Sequence, residues 1–387
     1  MSDANPGKPL NSKEKVCEVP LASVLQADIP PGWKPVGIGR LIVLLVVFVI
    51  GITYLAFPAT AATAQPKPIL VSLVSPSGET PVLNPTFDKN EVYLGITPTG
   101  WSNGDDPSID LNPPIRYQQI LSEMALAGFQ GSQMSGKFPQ EISELKSELK
   151  LRNLKISEPW VGTKFTEGKE SETLQEFNKQ MDFMKQIGGT QIVVAELGYA
   201  VHQDKSKDPL KDKPTFTNEQ WDQMTEGLNK LGSIAKSKGM QLCYHPHVGT
   251  GVQDLEDIHR LMANTDSDKV KLLLDTGHLY YAGVDPLAVT KEYANRIKHV
   301  HLKNIRESVL KESEKDGISF LDSIQKGVFT VPGDPKGAIN FDPILQELAK
   351  AHYQGWLVVE AEQDPNKTNP LENAVIARTY LRDLTGL

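Results

Sequence analysis

Residues 270–303 read VKLLLDTGHLYYAGVDPLAVTKEYANRIKHVHLK. Two short apolar runs, one from Val270 and one from Ile297, bracket a stretch of helical periodicity near 285–294. Asp285-Pro286 opens that stretch as an N-cap followed by proline at the first helical position. The unit is strand, helix, strand. Its first strand runs into Asp275-Thr276-Gly277-His278 and its second into His299-Val300-His301-Leu302-Lys303. The pattern continues on both sides. Upstream, MQLC ends in Tyr244-His245-Pro246-His247; downstream, GWLVV ends in Glu360-Ala361-Glu362. Four consecutive strands thus offer His, Asp, His and Glu. Carboxylates supply hard oxygen ligands and imidazoles supply nitrogen. In a (β/α)8 barrel such groups collect at the C-terminal ends of the strands. The pattern points to an enzyme with a divalent-metal site.

From Glu91 onward the alternation covers the chain. It predicts strands at 92–96, 131–134, 155–159, 191–196, 241–245, 270–275, 297–303 and 356–361. Helices are expected near 115–127, 140–152, 172–187, 217–238, 254–264, 285–294, 342–352 and 371–384. Gly128, Gly188 and Gly239 stand where C-cap glycines belong. Eight such units fit an α/β TIM barrel. A doubly wound open sheet lacks support, because no glycine-rich phosphate turn follows the first strand.

Every expected strand ends in polar or aromatic residues, including Thr97 to Trp101, Ser132-Gln133, Glu158-Pro159-Trp160 and Glu196. Trp101 and Trp160 offer flat faces to the C–H groups of a sugar-sized ligand, and rim packing is their other role. Other readings stand beside the functional ones. Asp275 also suits an N-cap. Lys303 also suits a salt bridge to Glu360 or Glu362. Glu158 and Glu196 also suit pocket walls that touch no metal. His299, near its strand's entry, is expected to face outward.

The chain has 387 residues, with Lys+Arg 40 against Asp+Glu 48 and a net charge of -8. That balance argues against nucleic acid as a partner. Its two cysteines, Cys17 and Cys243, make no disulfide framework. Leu41 to Phe57 is uncharged, and extended back to Val36 it contains only Arg40. It reaches the roughly 20 residues of a transmembrane helix. Ala62-Thr63-Ala64 resembles a signal cleavage site, but the long preceding region and long apolar run favour an uncleaved anchor. Lys34 and Arg40 before the span, against Lys67 after it, leave the barrel on the non-cytoplasmic side of a membrane. The expected organisation is a disordered tail at 1–35, a single N-terminal transmembrane helix at 36–57, a linker at 58–88 and the barrel at 89–387. Residues 305–340 read as a long loop with a short helix near 317–325, either closing over the site or running over the surface. An oligomer is compatible with the sequence.

The stretches LGITPTGWSN, SEMALAGFQGS, YHPHVGTGVQ, LLLDTGHLYYAG, HVHLKN and GWLVVEAEQDP resemble inosose (2-keto-myo-inositol) dehydratases. These belong to the sugar-phosphate isomerase/epimerase, or xylose isomerase-like, superfamily. The resemblance covers about residues 91–385. DTGH and HVHLK carry only the superfamily; YHPHVGTGVQ with GWLVVEAEQDP is more specific. The resemblance implies one divalent metal, Mn2+ or Co2+, on His245, Asp275, His301 and Glu360. His245 occupies a position that is Glu in the wider superfamily. It implies removal of water from a keto-polyol through an enolate. For that reaction Glu196 or His278 are the candidate base and acid, with Lys303 on the oxyanion. His247 and Glu362 join Trp101 and Trp160 as candidate substrate contacts. A metal-dependent isomerase or epimerase on a related sugar or cyclitol is the alternative, and a non-catalytic polyol-binding barrel a third. Asn304 and Gln133 depart from the dehydratase pattern, which expects acidic residues there.

Overall fold

In a β-strand successive side chains point to opposite faces, so a closed barrel sorts odd and even positions into interior and helix-facing sets. The computed structural model of the protein describes residues 86–387. The expected tail, anchor and most of the linker lie outside these residues. Eight strands form the barrel: Val92–Ile96, Gly131–Ser132, a divided third strand, Gln191–Glu196, Gln241–Tyr244, Val270–Asp275, Ile297–Leu302 and Gly355–Val359. All pair in parallel, and the first pairs with the last, Leu94 beside Leu357.

The third strand differs from the expected 155–159. It consists of Lys155–Ile156 and Trp160–Thr163. The intervening residues keep the ring closed, since Ser157 N donates to Ser132 O and Met134 N to Glu158 O, while Val193 N donates to Pro159 O. Pro159 has no N–H to offer the ladder, which accounts for the break. Trp160 therefore lies in a strand rather than beyond one.

The helices fall close to expectation, for example Tyr117–Ala127, Asn218–Ser237 and Pro370–Thr385. Gly128 and Gly188 end theirs with positive φ, and Gly239 follows the C-cap of another. Asp285 caps Pro286–Tyr293 as expected. The main core lies between sheet and helices. It takes Ile192 and Val194, Leu242 and Tyr244, Leu272 and Leu274, Val300 and Leu302, and Leu357 and Val359. The opposite parity fills the barrel interior, where Val193, Cys243 and Leu273 make a small apolar cluster against Trp160.

The segment after the seventh strand is more ordered than a loop. It holds Glu307–Asp316, Phe320–Lys326 and an antiparallel ladder between Asn304–Ile305 and Phe329–Thr330. A short helix not expected from the sequence, Thr276–Tyr281, directly follows the sixth strand. Among the described residues no helix is long and apolar enough to cross a membrane.

Candidate metal centre

Interior parity carries Cys243 on to His245, Leu273 on to Asp275, His299 on to His301 and Val358 on to Glu360. Four strands thereby deliver four ligand types to one place. His245 Nε2 lies 3.5 Å from Asp275 Oδ2. His301 Nδ1 lies 3.5 Å from the same oxygen and 2.6 Å from Glu360 Oε2. All four residues are buried, and among the described residues none of these four atoms has a hydrogen-bond partner. Buried polar atoms normally find partners, so four such atoms facing one another form a candidate ligand set. The two 3.5 Å separations suit ligands about 2.1 Å from a common ion, and the closer His301–Glu360 pair would have to open to admit it. Two carboxylates and two neutral imidazoles also balance the charge of a divalent cation. The donor set fits the expected group.

Asp275 serves both of its expected roles with different atoms. Oδ1 accepts from His278 N at 2.8 Å as the cap of Thr276–Tyr281, while Oδ2 faces the imidazoles. Lys303 Nζ is buried 2.8 Å from Glu362 Oε2, 3.4 Å from Glu360 and 3.7 Å from Asp275, so its salt bridge is real. Its stem lies on Gly277, where a Cβ would come within 2.4 Å of Lys303 Cγ. The glycine of DTGH is needed for that contact. His278 Nε2 accepts from Lys303 Nζ at 2.9 Å, so its Nδ1, 3.3 Å from Val248 N, carries the hydrogen. With its one lone pair given to Lys303, His278 is disfavoured as a ligand against His301 and Glu360.

Burial opposes charge throughout, and the neighbours decide the outcome. Asp275 stays well below the usual carboxylate range despite desolvation, held by Lys303 and the imidazoles. Desolvation also opposes ionisation of Glu360, yet Lys303 and His301 hold it low. His245, His247 and His278 are pushed down by burial. His301 rises well above its usual value, because Glu360, Asp275 and Glu158 outweigh its burial. Glu362 is pushed up to about 7 by desolvation, against the pull of Lys303.

Above the ligand set opens a cavity of about 250 Å3, lined by Thr99, Asp105, Gln133, Trp160, His202, His245, His247, Glu360 and Glu362 among others. It is on the scale of a single sugar ring. A larger groove of about 650 Å3 lies near Tyr280, Leu310 and Ile344, away from the ligand set. Phe320 packs against His247 and His278 at 5.4 and 5.7 Å, so the segment after the seventh strand walls one side of the site.

Trp160, His247 and Glu362 line the cavity, and Lys303 and His278 lie buried beside it. Two expected residues do not reach it. Trp101 is buried in the main core, with Nε1 donating to Glu123 at 2.5 Å. Thr99 takes its place on the wall. Glu196 shares parity with Ile192 and Val194 and faces the helix layer. Its carboxylate accepts from Thr163 Oγ1, Phe165 N, Thr166 N, Thr166 Oγ1 and Gly198 N, leaving no free oxygen for substrate. Asn304 is also outside the cavity; its Oδ1 accepts from Ile305 N and Ile339 N. His299 does not face outward. It is fully buried in the interior, 3.2 Å from Glu158. His202 was not singled out by the sequence. Its signal was a position on the loop after the fourth strand, held where Val201 N donates to Gly249 O at 2.8 Å. Gly249 has φ 76° and packs on His202, which explains a glycine in YHPHVGTG.

Comparison with known proteins gives a consistent result. Residues 121–384 match the family described as xylose isomerase-like TIM barrel. An inosose dehydratase of Clostridium beijerinckii is 46% identical over 300 residues, covering 78% of this chain and 99% of that protein. An inosose dehydratase of Geobacillus thermodenitrificans is 47% identical over 302 residues, covering 78% and 100%. Among solved structures, the IolI protein with a bound zinc atom superposes with a TM-score of 0.55 at 18% identity, covering 76% of this chain and 98% of that one. That likeness concerns the fold. The relatives also correct the membrane placement expected from residues 36–57. They are matched over nearly their whole length by 78% of this chain, so they have no counterpart to its remainder. On that comparison the single-pass reading and the non-cytoplasmic barrel are not retained; residues 36–57 themselves lie outside the described residues.

Proposed function

Since the chain belongs to the xylose isomerase-like TIM barrels and, within them, to the inosose dehydratase family, we propose that it is a carbon–oxygen lyase that removes water from inosose, 2-keto-myo-inositol. The observation that carries this reading beyond likeness is the convergence of four orphaned ligand atoms under a sugar-sized cavity. His245, Asp275, His301 and Glu360 would hold a divalent cation, Mn2+ or Co2+. Such an ion supplies Lewis acidity toward a ketone oxygen, which acidifies the neighbouring C–H.

The remaining residues have separable tasks. Loss of water breaks one C–H and one C–O bond, so it needs a proton acceptor and a proton donor. Glu362 lines the cavity, and burial brings its carboxyl to about 7, where both protonation states are accessible near neutral pH. It takes over the proton-transfer role expected of Glu196. Lys303 keeps a positive charge beside Glu362 and Glu360, oriented to stabilise negative charge on the substrate. His278 holds Lys303 from the other side. Trp160 offers an apolar face, and His202, His247, Asp105 and Gln133 offer polar contacts to ring hydroxyls.

The test uses the full chain. Bound metal is removed, Mn2+ or Co2+ is restored, and 2-keto-myo-inositol is followed by product mass. Metal-dependent loss of one water is expected. Conversion at unchanged mass would replace the lyase by an isomerase, and no conversion with either ion would overturn the substrate.

A further inference from the structure

We infer that Glu158 is a positioning residue for His301, with His299 and Gln191 buried behind it, and that it holds the imidazole with Nδ1 toward the metal position. The inference rests on the reading of His301 as a ligand. The buried set begins at the entry of the fourth strand. Gln191 Nε2 donates to Lys298 O at 2.7 Å, so its Oε1 is the atom turned toward His299 Nδ1. An amide oxygen only accepts, so His299 Nδ1 carries the hydrogen. His299 Nε2 then lies 3.2 Å from Glu158 Oε2, a packing contact without a hydrogen bond. The other carboxylate oxygen, Glu158 Oε1, lies 3.3 Å from His301 Nε2. With the carboxylate as acceptor, His301 Nε2 carries a hydrogen, and Nδ1 is the nitrogen that faces Asp275 and Glu360 and would give its lone pair to an ion there.

A carboxylate behind a ligating imidazole selects its tautomer, fixes its ring and makes it a stronger donor. Here the arrangement is unusually enclosed. Glu158, His299 and His301 are 0% exposed and Gln191 is 5% exposed. Their neighbours in the interior include the apolar trio Val193, Cys243 and Leu273, so few competing partners exist. The two imidazoles of the ligand set differ in this respect. The second nitrogen of His245 meets only the indole N–H of Trp160, at 3.4 Å. His301 alone has a carboxylate at its back. The break in the third strand puts Glu158 there, because residues 157–159 bend between the two strand pieces while keeping their backbone partners.

The test compares wild type with Glu158→Gln, a change of nearly equal size. Mn2+ and Co2+ affinities are measured by calorimetry, with the visible absorption of the Co2+ form and the melting temperature of the metal-free form. The expected result is binding weaker by about 10- to 100-fold, a changed Co2+ spectrum and one metal per wild-type chain. In addition, long-range nitrogen–proton NMR of the Zn2+-loaded wild type should find His301 protonated on Nε2. This second measurement needs no variant to fold. Unchanged affinity and spectrum in Glu158→Gln, with only a lower melting temperature, would make Glu158 merely structural and overturn the inference. So would protonation of His301 on Nδ1, or a second metal equivalent that Glu158→Gln abolishes, since Glu158 would then be a ligand itself. Wild-type protein that binds none of these ions would overturn the ligand reading along with the inference.

Discussion

His202 has a buried Nδ1 with no hydrogen-bond partner among the described residues, and the residue lines the cavity. Burial holds its pKa down, so it offers a neutral ring to a hydroxyl. His202→Ala is expected to raise KM roughly 2- to 10-fold, the worth of one neutral hydrogen bond. The value of kcat and the metal affinity should stay within twofold. Equal losses in kcat and kcat/KM would instead place His202 in the chemistry. Lys303 poses a stability question at the same scale. It is fully buried against Glu362 and Glu360, and removing one partner of a buried pair leaves an uncompensated charge. Lys303→Met should cost the metal-free protein about 3–5 kcal/mol in urea unfolding. The double variant with Glu362→Gln should recover part of that loss. A single-variant cost under about 1 kcal/mol would mean that solvent reaches the pair.

Strand period explains which expectations about the elements held. His299 and His301 are two residues apart and must share a face, so the outward reading of His299 conflicted with the period that brought His301 inward. Glu196 follows Ile192 and Val194 by the same rule, and the parity of QIVVAE already separated it from the interior. Helix ends were easier, because Gly128, Gly188 and Asp285 act through local backbone geometry and capping. The segment after the seventh strand shows the opposite limit. Asn304 departs from the dehydratase pattern, yet its side chain ties Ile305 and Ile339 together outside the cavity. Asn304→Ala should leave two buried N–H groups unsatisfied, at about 1–3 kcal/mol each. Hydrogen exchange at the amides of Ile305 and Ile339 should quicken while the barrel strands keep their protection. Unchanged exchange there would show that the two strands of the small ladder hold the segment without Asn304.

For the whole molecule the proposed metal position joins four consecutive strands of the ring. A ligand that binds only the folded state stabilises it by mass action, about 2.7 kcal/mol at 100 times Kd. Mn2+ or Co2+ at that excess should raise the melting temperature of the full chain by several degrees. Asp275→Asn should abolish most of the rise, because it removes one of two charges that balance the ion. A shift that persists in Asp275→Asn would move the ion elsewhere in the protein.

By itself the sequence determined the barrel, its eight strands and the four ligand types at successive strand ends. Those features are local: apolar runs of the right length, caps, and a polar residue where each run stops. It also carried the family resemblance, through YHPHVGTGVQ and GWLVVEAEQDP. Only the tertiary structure decided which polar residue at each strand end reaches the cavity. Glu196 spends its oxygens on a turn near Thr166, Trp101 turns into the core, and Glu158 bends inward to stand behind His301. Each outcome depends on partners some 20 to 140 residues away, with separations of 30 for Glu196–Thr166, 22 for Trp101–Glu123 and 143 for Glu158–His301. Local pattern names the groups that a strand end offers; the folded neighbourhood settles which of their atoms are left without a partner.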